Sequence, residues 1–299
     1  MTSTTNKSEA LLLLHFIVLI WGFTGILGKE ITLDALELVW WRVGIAAIAI
    51  GAYALLTRKP LEASRRDILR FMGVGVLTAA HWICFFASIK VSNISTALAV
   101  LSTTSFFVAL VAPLIRRTRV LPYELGLGVM VIAGLVMIFR FEPQYTLGIL
   151  LSLGAAFFAA LFSSYNSVFV ATHPPHRIAF YEMLGGFLAV SIYVMLSGNG
   201  ASALALSGYT DLVLLLILSL VATAYAFIAG IRVMRVLTPF TCAITINLEP
   251  VYTILFALFL YGESEWMSPQ FYAGALIILS TLFVNAWMKR RSERAAIGI

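Results

Sequence analysis

The sequence predicts an all-α integral membrane protein, ten transmembrane helices arranged as two inverted five-helix repeats, and three observations lead to it. Hydrophobic residues make up 61% of the chain and charged residues 11%, against roughly 25% charged in soluble domains. The apolar runs are each near the ~20 residues that a spanning helix needs, and most are joined by short loops. Lys and Arg gather in alternate loops, as the positive-inside rule requires of a multi-pass chain.

In chain order the expected spans are 10–28, 35–56, 68–89, 94–115, 123–139, 147–170, 178–196, 212–230, 240–261 and 271–288. The first could pass for a signal peptide, but it lacks a small-residue cleavage site and more spans follow at once. The longest loop is the weakly polar stretch SGNGASALALSGYTD, residues 197–211. Of 20 basic residues, 16 lie on one side: Lys7; Arg58, Lys59, Arg65, Arg66 and Arg70; Arg116, Arg117 and Arg119; Arg177; Arg232 and Arg235; Lys289, Arg290, Arg291 and Arg294. The other side has only Lys29, Arg42, Lys90 and Arg140. Both termini are therefore expected in the cytoplasm, with the chain in the plasma membrane, the inner membrane of a bacterium.

The net charge of +6 does not point to nucleic acid, because the basic clusters sit at the ends of apolar runs, where orientation explains them. Cys84 and Cys242 lie inside apolar segments without metal-type spacing and read as small hydrophobes. No zinc-protease, nucleophile-elbow or phosphate-loop motif is present, so no enzyme, metal or cofactor is expected. ATP-driven pumping by this chain alone is not expected either.

One span breaks the apolar rule. The stretch FTCAITINLEPVYTILFALFLYGE, residues 240–263, carries Glu249 and Pro250 at its middle. A carboxylate at the bilayer centre costs about 2.5–3.5 kcal/mol on insertion scales, so it normally faces a partner or a polar cavity. Pro250 has no N–H and crowds the carbonyl of Ile246, which leaves a polar backbone group to satisfy. A packing kink with a structural ion pair would account for the same residues.

Overlaying the halves at an offset of 145 lays ASIKV, residues 87–91, on RVMRV, residues 232–236, and Thr104 and Ser105 on Glu249 and Pro250. Five spans per repeat reverse the second half, the arrangement of many secondary transporters, with the site at the midplane between the halves.

On these residues the chain resembles the drug/metabolite transporter superfamily, in particular members with two tandem EamA domains, here residues 10–140 and 146–288. The resemblance lies in Leu248, Glu249 and Pro250 followed by an apolar run and Gly262, Glu263, and in Arg42 within WWRVGIAA. The first repeat departs from the family pattern, with Ser105 and a basic RRTR turn where Pro and Gly-Glu are usual. The resemblance implies transport of small metabolites, commonly amino acids or related compounds, and often export.

Depth then decides which polar groups can meet. At 1.5 Å per residue, Glu249 lies about 14 Å from the cytoplasmic end of its span, His81 about 19 Å and Arg42 about 20 Å in a ~30 Å core. Glu182 is too near the cytoplasmic end of its helix to pair with Arg42. Around the shared level, Trp21, Thr78, Trp82, Thr104, Thr245, Asn247 and Tyr252 complete the expected substrate site, giving aromatic walls and neutral hydrogen-bonding groups. Each has an ordinary alternative as a packing or interfacial residue, and Arg42 could snorkel outward. The expected partners are a small-molecule substrate and the lipid bilayer, not nucleic acid; proton coupling and a homodimer are left open. The competing transport reading is export of lipophilic cations, and the competing class is a non-transporting scaffold or an intramembrane enzyme.

Overall fold

The computed structural model describes residues 6–120, 122–196 and 208–297, and the regular structure in them is helical. The helices are α1 (Lys7–Gly22), α2 (Thr24–Glu30), α3 (Ala35–Leu56), α4 (Arg65–Val91), α5 (Ile94–Leu101), α6 (Thr104–Arg116) and α7 (Pro122–Phe141). They continue as α8 (Thr146–Phe169), α9 (Pro175–Leu196), α10 (Tyr209–Ile217), α11 (Ala226–Val233), α12 (Pro239–Ile246), α13 (Glu249–Tyr261) and α14 (Pro269–Ile297). Most of the 197–211 loop, including Gly200, lies outside the described residues. Among them, eight helical segments are long and apolar enough to cross a membrane. Two further apolar helices, Pro122–Ile138 and Pro269–Asn285, are shorter.

Several spans expected as single helices are broken. The first is divided at Phe23, the fourth at Ser102 and Thr103, and the ninth at Asn247 and Leu248. The eighth stays continuous but widens to a π-helix over Leu218–Tyr225, joining α10 to α11. Pro250 accordingly stands in the first turn of α13, not inside a longer helix. There its missing N–H is one the helix would leave unbonded in any case, which corrects the expectation of a proline-distorted interior.

The bundle is held where small residues let helices approach. A Cβ at Gly75 of α4 would stand 2.1 Å from the carbonyl oxygen of Glu182 on α9, and one at Gly185 would stand 2.4 Å from that of Met72. Gly134 of α7 and Gly274 of α14 meet in the same way, each site lying under 3 Å from the other's carbonyl oxygen. On α3 the glycines instead receive rings from α9, Gly44 that of Phe187 and Gly51 that of Phe180. Side chain to backbone bonds reinforce the contact of α8 with α4 and α5, Ser88 Oγ donating to Gly148 O at 2.7 Å and Ser152 Oγ to Ala97 O at 2.5 Å.

The end of the bundle with few basic residues is tied by polar bonds. Glu265, fully buried, accepts from Lys29 Nζ at 2.8 Å, from the backbone N–H of Ile94 at 3.2 Å and Ser95 at 2.9 Å, and from Ser95 Oγ at 3.0 Å. It thereby caps α5 while joining it to α2. Nearby, Asp211 accepts from Thr32 N at 3.0 Å and Thr32 Oγ1 at 2.5 Å, and Tyr261 donates to Glu30 at 2.7 Å.

Candidate functional site

The breaks converge on one cavity of about 110 Å³. A water needs roughly 10–15 Å³ by this kind of measure, so the space holds several waters or a small organic molecule. Irregular backbone at membrane depth is tolerated where it lines such a space, because its freed polar groups then find partners. Trp21 and Thr24 flank the break in the first span, Leu101, Ser102 and Thr104 that in the fourth, and Asn247, Glu249 and Pro250 that in the ninth. Asn247 Nδ2 donates to Ser105 Oγ at 3.2 Å, so two of the breaks bond to each other.

Arg42 is the largest side chain with almost no exposed surface. Its Nε donates to Thr223 Oγ1 at 2.6 Å, and its guanidinium lies 4.0 Å from the centre of the Trp82 ring and 5.5 Å from that of Phe86. The π-helix is what makes this possible: Thr223 Oγ1 itself donates to Leu218 O, five residues back, at 2.9 Å. The neighbouring Ala222 carbonyl accepts from Trp21 Nε1 at 3.0 Å. One widened turn therefore orients both the cation and an aromatic wall.

Glu249 is buried, on the cavity wall with Arg42, and the two charges are close enough to feel each other. No ion pair within 4 Å joins them, and both face the cavity. Glu249 also opens α13, where the partial positive charge of a helix N-terminus favours a carboxylate. His81 Nδ1 bonds the Ala155 carbonyl at 2.8 Å. A carbonyl only accepts, so Nδ1 carries a proton, and in the neutral ring Nε2 is then the acceptor. Phe85, Phe162 and Phe227 complete an aromatic enclosure.

Of the residues expected from the sequence, Trp21, Arg42, His81, Trp82, Thr104, Asn247 and Glu249 line this cavity. Thr78, Thr245 and Tyr252 do not. The hydroxyls of Thr78 and Thr245 donate back along their own helices, to Val74 O at 3.1 Å and Thr241 O at 2.9 Å. Tyr252 packs where α13 meets α1, beside Gly22. Sequence reasoning missed Thr223, Ser102, Asn166 and Phe227. Ser102 was within reach, since the 145-residue offset lays it on Asn247; nothing local marked Thr223. The cavity extends toward the basic end, reaching Met234 and Pro239.

This all-helical chain, with its charged cavity among broken spans, is a multi-pass membrane protein. The profile of the EamA-like transporter family matches residues 8–140 and 146–287. The chain belongs to that family, and so to the drug/metabolite transporter superfamily. No curated protein matches it. A solved structure, described only as the crystal structure of a protein, is 17% identical, covers 96% of this chain and 100% of its own length, and superposes with a TM-score of 0.71. At that identity the likeness concerns the fold alone.

Proposed function

We propose that this protein is a secondary transporter of small zwitterionic metabolites, amino acids or close relatives, and that it exports them by alternating access. The observation that carries the proposal is the placing of Arg42 and Glu249 on one small cavity without a direct bond. A carboxylate of the substrate would meet Arg42, its ammonium group Glu249, and its apolar body the rings of Trp21, Trp82 and Phe227. The modest volume favours such a molecule over a bulky lipophilic cation.

Support for two related halves comes from the register of the broken spans. Shifted by 145, α5 (Ile94–Leu101) falls on α12 (Pro239–Ile246) and α6 (Thr104–Arg116) on α13 (Glu249–Tyr261), end for end. In our reading α7 and α14 also cross the bilayer, giving ten spans as two inverted repeats, residues 10–140 and 146–288, with both termini in the cytoplasm. The halves rock about the cavity. The Glu265, Lys29 and Ser95 cluster holds the outer side closed while the site faces the cytoplasm, and must part when the site faces outward.

Counterflow in proteoliposomes tests this. Vesicles preloaded with unlabelled L-amino acids should take up a radiolabelled mixture of them unchanged, and Arg42→Gln should abolish the uptake. Chemical conversion of the label, or no uptake by folded wild-type protein, would sink the proposal. Uptake of a lipophilic cation in preference to every amino acid would replace it with the competing reading.

A further inference from the structure

Another buried carboxylate lies inside the bundle, apart from Arg42 and Glu249 and from the cluster around Glu265. Glu182, on α9, has no exposed surface. Its Oε2 accepts from Asn166 Nδ2 at 3.2 Å; the Thr78 hydroxyl also stands against the carboxylate but gives its one proton to Val74 O at 3.1 Å, so Oε1 is left without a donor. The Oδ1 of Asn166 has none either. Two enclosed acceptor oxygens on adjoining side chains thus lack a donor.

Nor does a cation compensate the carboxylate. The elements packed mainly against α9 are α4, α3 and α11. They bring Thr78, which stands alongside, His81, and the Asp67–Arg70 pair on α4, Arg42 on α3 and Arg232 on α11. Asn166 comes from α8, and His173 from the loop before α9. Among the described residues no ion pair to Glu182 forms. The side chain has no exposed surface, and beside it the backbones of α4 and α9 touch at Gly75 and Glu182. An unpaired carboxylate with a bare oxygen in such a place is strongly disfavoured, whereas a neutral carboxylic acid removes the charge and supplies a donor.

We propose that Glu182 is the proton-binding site of this transporter, with Asn166 as the positioning residue that connects it to the substrate cavity. The proposal rests on the transport reading above and adds the coupling ion to it. Asn166 is suited to the link because it lines the cavity while its amide bonds Glu182. The step is a simple protonation: a hydronium ion gives its proton to the carboxylate, leaving water and a neutral acid, and release reverses it. A metal cation fits poorly, since one carboxylate oxygen and one amide oxygen fall far short of the six or so oxygen ligands such ions take. A substrate N–H or a water arriving at Asn166 donates to its bare Oδ1, the adjoining acceptor that the acid proton of Glu182 would otherwise use, and rehydration of Glu182 then lets the proton leave. Protonation and substrate occupancy thereby exclude each other, as exchange transport requires.

Two measurements test it, one needing no substrate. Infrared difference spectra between acid and alkaline medium should show the carbonyl band of a buried carboxylic acid in the wild type. The band should vanish in Glu182→Gln, persist in Glu249→Gln, and shift in frequency in Asn166→Leu, which removes the bonded amide. A wild type without the band, or a band that survives Glu182→Gln, overturns the proposal. Should Glu182→Gln not fold, the Asn166→Leu shift decides, and an unmoved band counts against us. In proteoliposomes with the radiolabelled amino-acid mixture, Glu182→Gln should keep counterflow and lose accumulation driven by a pH gradient; retained accumulation overturns the coupling role. If wild-type protein shows the band but no counterflow, the transport reading fails and coupling fails with it, while the proton site stands.

Discussion

The fourth and ninth of the expected spans have the same architecture and different chemistry. Each is a helix of 8 residues, a two-residue break and a helix of 13 residues, in register at 145. Both begin with a capping side chain, Asn93 accepting from Thr96 N at 2.8 Å and Thr238 from Thr241 N at 3.2 Å. Both end on a residue of positive φ, Arg117 at 54° and Gly262 at 55°. Yet at the start of the second helix one has Thr104 and Ser105, the other Glu249 and Pro250. A proline is therefore not what breaks these spans. The shared geometry belongs to the packing of the halves, and the ninth span alone adds the charge.

The largest effect expected from breaking that asymmetry is at the charge itself. Arg42→Met leaves Glu249 buried without its nearby cation. A directly bonded buried pair costs about 3–5 kcal/mol to break; these groups are not in contact and face a cavity, so about 2–3 kcal/mol is expected. Unfolding of purified protein in detergent measures it, and the double variant Arg42→Met, Glu249→Gln should recover more than half of the loss. A double variant as unstable as the sum of the singles would show the two charges to be independent.

Next in size is Gly262→Ala. No atom lies within 4 Å of the added methyl, so its cost, about 1–2 kcal/mol, is purely conformational. Pro250→Ser, which copies the fourth span into the ninth, should change stability by less than about 1 kcal/mol and leave transport in place. A loss above about 3 kcal/mol would restore proline as the cause of the break. Smallest is Arg117→Gly, expected to stabilise by about 0.5 kcal/mol, since φ and ψ of 54° and 45° suit glycine better than arginine. Opposite signs at these two positions, which share a positive φ but differ in ψ (45° at Arg117, −126° at Gly262), would sharpen the comparison; a destabilising Arg117→Gly would mean that the arginine makes a contact worth more than its strain.

Much of this was legible in the sequence, because a bilayer leaves few options: apolar length dictates spanning helices, and an isolated carboxylate must find a cavity. Glu249 and Arg42 could be placed together by depth alone. The breaks were less legible. Pro250 marked the ninth; at the fourth the mark was the hydroxyl run Ser102 to Ser105, whose side chains each bond back to a carbonyl three or four residues earlier and compete with the helix ladder. The π-helix was invisible, since Thr223 matters through Arg42, 181 positions away. Glu182 was correctly kept apart from Arg42, but its role depended on Gly75, which admits the α9 backbone at a distance no sequence pattern displays.

The most direct test of the central claim, that Arg42 and Glu249 hold the two ends of one zwitterion, is thermal stabilisation of the purified protein by matched ligands. A ligand that binds only the folded state raises its apparent stability. A panel of L-amino acids, their amides and their decarboxylated amines should show stabilisation by at least one amino acid and none by its two singly charged analogues. Arg42→Gln should no longer distinguish the acid from its amide. Equal or greater stabilisation by the amine would contradict the account and point to a site for cations.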